Sequence, residues 1–116
     1  MEKQFSIIFT EEVLEYLKTL EKKHSEKIVY NIRKSQNKND PELFKKLDED
    51  IWEFRTLFQK LQYRLLAFWD KTNSENTLVV ATNGFIKKQS KVPKNEIDRA
   101  KRLKITYFEE KNNEKL

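Results

Sequence analysis

The chain has 116 residues, of which 37% are charged, a formal net charge of +5, one glycine and no cysteine. This length suits one domain with a modest core. The missing cysteines exclude disulfides and thiolate chemistry, and one glycine is too few for a phosphate-cradling nucleotide loop, so no cofactor is expected.

In chain order, residues 5–9 (FSIIF) read as a short strand. Thr10 then suits a helix cap, with Glu11 and Glu12 placed at the positive helix end. Val13, Leu14, Leu17 and Leu20 follow as one apolar stripe. Residues 22–25 interrupt it. Ser25 is expected to start a second helix, with Ile28, Val29 and Ile32 inward and Lys27, Arg33 and Lys34 outward, which completes a helical hairpin. His24, the sole histidine, falls at the junction as an exposed turn residue.

Residues 36–42 (QNKNDPE) read as a loop stopped by Pro41. A leading-edge strand over 43–47 precedes three strand-like runs near 51–58, 61–69 and 77–86. Turns at Gln59-Lys60 and over 70–76 join these into an antiparallel meander. Pro93 suits the first turn of a closing helix lined by Ile97, Ala100, Leu103 and Tyr107. Residues 1–108 are expected to form the domain and 109–116 a flexible tail. No apolar run nears the ~18 residues of a membrane span, and Met1-Glu2-Lys3 opens no signal peptide. A cytoplasmic protein with no membrane partner is expected.

The basic excess favours an acidic partner such as RNA, DNA or an acidic protein. Strand alternation puts Glu53 and Arg55 on one face and Trp52, Phe54 and Phe58 on the other. Arg64 shares its face with Leu66 and Phe68. Burying an unpaired guanidinium is costly, so a cation set in a sheet faces either a polyanion or a fixed carboxylate. If the hairpin register sets Arg64 beside Arg55, an anion must relieve their repulsion. The plainer alternative is an Arg55–Glu53 or Arg64–Glu53 pair that closes the sheet edge. Of the adjacent Lys87 and Lys88, only one can face such a groove, and Lys88 is the expected one. Asp48-Glu49-Asp50 reads as a hydrated turn rather than a metal site. Trp52 belongs with the packed set by parity, in preference to base stacking.

The order Leu-x(4)-WEFR, YRLLAF, NGF-x-KK and P-x(2)-EI-x(2)-A across residues 47–100 resembles the RelE/ParE toxin superfamily, closest to its phage-associated HigB-type branch. The resemblance implies an α+β, RelE-like fold: an N-terminal strand and helical hairpin packed on a mainly antiparallel twisted sheet, with a C-terminal helix. It implies the toxin of a type II toxin–antitoxin module, a metal-independent and ribosome-dependent endoribonuclease acting on mRNA. Catalytic roles then fall on Arg55, Arg64 and Lys88, and RNA contacts on Lys87, Lys91 and Lys60. The implied partners are mRNA, the ribosome and a HigA-like helix-turn-helix antitoxin, with promoter DNA bound only through the antitoxin complex. Several relatives carry a histidine or tyrosine near the chain end as acid or base; this chain offers only Tyr107, whose spacing suits packing. A ParE-like gyrase inhibitor and a non-catalytic nucleic-acid-binding module are the alternatives.

Overall fold

The computed structural model describes residues 3–72 and 77–114. Its elements are β1 (Ser6–Phe9), α1 (Glu11–Lys18), α2 (Lys22–Asn37), β2 (Phe44–Lys46), β3 (Trp52–Phe58), β4 (Leu61–Asp70), β5 (Leu78–Ile86) and α3 (Lys94–Glu114). Much of the turn expected over 70–76 lies outside the described residues. The strands form one five-stranded sheet in the order β1-β5-β4-β3-β2. β1 runs parallel to β5 and every other pair is antiparallel. This is the expected α+β arrangement, with β2 as the leading-edge strand.

Local chemistry accounts for most boundaries. Gln59 and Lys60 adopt φ values of 50° and 68°, the left-handed pair that a two-residue hairpin between β3 and β4 requires. Thr10 caps α1 as expected: its Oγ1 accepts from the Val13 N–H at 3.2 Å and donates to the Thr82 carbonyl at 2.9 Å, which ties the helix to β5. The inward stripe of α1 differs from the expected one. Leu14 is exposed, and Tyr16 packs on the core with Val13, Leu17 and Leu20. Tyr16 lies against the chain's one glycine, because a Cβ at Gly84 would stand 2.6 Å from its ring and 2.5 Å from Leu65 Cδ2.

α2 begins at Lys22, ahead of the expected Ser25. Ser25 instead donates its hydroxyl to the Leu17 carbonyl at 2.6 Å and locks the hairpin. The earlier start also corrects His24. Standing one turn before Ile28 on the inward stripe, it is buried, with Nδ1 2.7 Å from the Tyr63 hydroxyl and its ring edge-on to Phe58.

The two sheet faces are packed separately. Against α1 and α2 lies an aromatic-rich core in which Phe44 stacks on Phe54 at 4.2 Å and Trp52 meets Trp69 edge-on. Both tryptophans therefore serve packing. Against α3 lie Ile51, Leu66, Phe68, Val80 and Phe85, with Ala100, Ile97 and Tyr107 from the helix. Fully burying a side chain such as Phe68 stabilises by about 3 kcal/mol.

Residues 109–114, within the stretch expected to be a tail, continue α3 as helix. The cause is a long-range anchor: Tyr107 Oη and Lys111 Nζ each reach Asp70 Oδ2 at 2.6 Å. Nearer its start, α3 is held by Lys101–Asp48 and Lys104–Asp50 ion pairs at 2.9 and 3.4 Å. The acidic run thus holds a helix. Among the described residues, no helix is long and apolar enough to cross a membrane.

Candidate active site

On the α3 side of the sheet, register sets Glu53, Leu66 and Asn83 in one row and Arg55, Arg64 and Phe85 in the next. The first row meets the start of α3, where Asn83 Nδ2 donates to Glu96 Oε1 at 3.0 Å. The second borders open space: Glu42, Arg55, Leu57, Gln62 and Arg64 line a groove of about 280 Å³. Arg55 and Arg64 are direct cross-strand partners. Like charges so placed repel, and something of opposite sign must offset them.

Arg64 has its counter-ion within the protein. Only 3% exposed, it sets Nε 3.0 Å from Oε1 of the equally buried Glu53. The contact is an ion pair rather than an aligned hydrogen bond. Its Nη1 donates to the Tyr63 carbonyl at 3.0 Å and Nη2 to Gln62 Oε1 at 3.2 Å. Burial pushes the Arg64 pKa down, Glu53 pulls it back up, and the neighbouring Arg55 lowers it again. The guanidinium still remains a cation at neutral pH. The Arg64–Glu53 pairing weighed from the sequence is thus formed.

Arg55 differs. It is half-exposed, and its Nε is buried without a hydrogen-bond partner among the described residues. Glu53 pairs with Arg64, so Arg55 faces the groove as the cation without an ion-pair partner among the described residues.

The backbone sets the two lysines on opposite faces. The Lys87 N–H donates to the Gln62 carbonyl at 2.7 Å, so pairing continues one residue past β5. By alternation Lys87 falls on the face of Phe85 and Arg64, and the exposed Lys88 takes the other parity. A bulge between Leu66 and Ala67 in the β4–β5 ladder sets which β5 residues share that face. Lys60, at the hairpin tip, and Lys91, before α3, are exposed and stand outside the groove lining.

Glu42, a loop residue by sequence, lines the groove beside both arginines. The one sequence signal for it is its position just before the strand that pairs with β3.

Residues 15–104 match the family model for phage-derived Gp49-like proteins. Among solved structures, the fold is similar to free E. coli toxin RelE carrying two arginine-to-alanine substitutions. That likeness has a TM-score of 0.57 at 14% identity and covers 85% of this chain and 96% of that one. No curated protein matches. The class defined by this fold and family is the RelE-superfamily toxin. Within it, the chain belongs to the phage-derived Gp49-like family, a RelE/HigB-like group, and such membership implies an antitoxin partner.

Proposed function

We propose that this toxin is a metal-independent endoribonuclease that cleaves mRNA on the ribosome and so stops translation in the cytoplasm. The observation that carries this reading is the cross-strand Arg55–Arg64 pair on an open groove, with a buried carboxylate paired to Arg64. In such cleavage the ribose 2′-oxygen attacks the adjacent phosphorus, and negative charge builds on the phosphoryl oxygens. A guanidinium suits that charge because its planar fork binds oxygens in pairs and stays protonated. Arg55, accessible and without a carboxylate partner among the described residues, is the residue to grip the phosphate. Arg64, fixed by Glu53, Gln62 and the Tyr63 carbonyl, keeps a second positive charge beneath it. Lys87 borders the same face, and Lys60, Lys88 and Lys91 extend the basic surface for flanking RNA.

The proposed inhibitor is a HigA-like helix-turn-helix antitoxin, through which the complex binds promoter DNA. The test is induced expression of wild type and Arg55→Ala, with growth and transcript ends followed together. Wild type should arrest growth and produce new mRNA ends, and Arg55→Ala should cut about a hundredfold more slowly or worse. Equal cleavage by the variant would remove Arg55 from the site. Growth arrest with intact transcripts and a DNA-damage response would instead support gyrase inhibition.

A further inference from the structure

Cleavage by a ribose 2′-hydroxyl needs a group to take its proton, and the packing leaves few candidates. His24 and Tyr63 bond each other in the core against α2, on the opposite side of the sheet from Arg64. Tyr107 is committed to Asp70 at the far end of β4. Glu53 is buried against Arg64. Among the described residues, Glu42 is the exposed carboxylate that lines the groove.

Its backbone is firmly held. The Glu42 N–H donates to Asp40 Oδ1 at 2.9 Å, the Leu43 and Phe44 N–H groups both bond the Asp40 carbonyl, and the Leu43 carbonyl accepts from the Arg55 N–H at 2.8 Å. That last bond fixes the turn to β3 at Arg55 itself. The surrounding charged groups are Arg55 from β3, Arg64 from β4 with Glu53 behind it, and Asp40 of the same turn.

We infer that Glu42 is the general base of the ribonuclease, a role that rests on the reading above. Its carboxylate takes the 2′-hydroxyl proton as the bond from the 2′-oxygen to phosphorus forms. The bond from phosphorus to the 5′-oxygen breaks, and the leaving oxygen takes a proton from water. Glu42 returns its proton to solvent. The products are a 2′,3′-cyclic phosphate and a 5′-hydroxyl end.

The experiment compares wild type, Glu42→Gln, Glu42→Asp and Arg55→Ala on mRNA in translating ribosomes, measuring single-turnover rate against pH, RNA affinity and end chemistry. Because Glu42 is exposed, Glu42→Gln should fold normally, which circular dichroism checks. It should cleave about a hundredfold more slowly or worse, with RNA affinity retained and the acid limb of the wild-type pH profile lost. Glu42→Asp should recover part of the rate. Wild-type cleavage by Glu42→Gln, with Arg55→Ala still impaired, would overturn the role of Glu42 and leave the ribonuclease reading standing. No cleavage by wild type would overturn both.

Discussion

β4 carries a charged residue near each end of the same face, and the two are treated oppositely. At one end Asp70 is fully buried, and its carboxylate accepts from four donors: Thr72 N–H, Thr72 Oγ1, Tyr107 Oη and Lys111 Nζ. At the other, Arg64 and Arg55 face each other, and Arg64 takes the buried Glu53 as its partner while the buried Nε of Arg55 has none among the described residues. A satisfied buried charge fixes an element, here α3 on the sheet. An incompletely balanced one is a place for a ligand to complete. The fold thus separates anchoring from binding along a single strand.

Three changes can break or sharpen that contrast. The largest effect is expected from Arg64→Ala, which strands Glu53 in the interior and should cost about 3–5 kcal/mol in urea unfolding. The paired replacement Glu53→Leu with Arg64→Met should recover most of that stability but not mRNA cleavage. If it restored cleavage too, Arg64 would be shown to act only through packing.

Next is Asp70→Ala, expected to cost about 3 kcal/mol and to loosen the last turns of α3 in hydrogen exchange. Burial raises the Asp70 pKa, but the bonds from Lys111, Thr72 and Tyr107 outweigh it and hold the value well below the ordinary carboxylate range. With a depressed folded-state pKa, its stabilisation is present above about pH 4 and is lost as pH falls through the folded value. Acid unfolding of wild type should therefore be steeper below about pH 4 than that of the variant.

The smallest change is Lys60→Gly at φ 68°. Relief of the left-handed conformation should raise stability by about 1 kcal/mol, read as a higher thermal midpoint. If Lys60 contacts RNA, affinity should fall with it.

Strand content was legible because β3 alternates, β4 is an apolar run buried on both faces, and the Gln59-Lys60 turn separates them. The Thr10 cap was legible too, since capping depends on neighbours in sequence. The facing arginines could be anticipated because a two-residue hairpin fixes its own register. Features that depend on distant partners were hidden. His24 is buried because Tyr63 receives it, and residues 109–114 stay helical because Lys111 finds Asp70. Lys87 shares the face of Arg64 because Arg64 pairs with Phe85 and the ladder runs one residue past β5, a register that the sequence does not show. Glu42 looked like any loop acid until the Leu43–Arg55 backbone bond set it beside the arginines.

The parallel pairing of β1 with β5 joins the first strand to the last one made. During synthesis, residues 6–9 must wait for 78–86 to leave the ribosome before that edge can close. Such distant pairing slows folding. Phe85 joins the row of Arg55 and Arg64 only with β5, so on a nascent chain that face stays incomplete until the last strand is made.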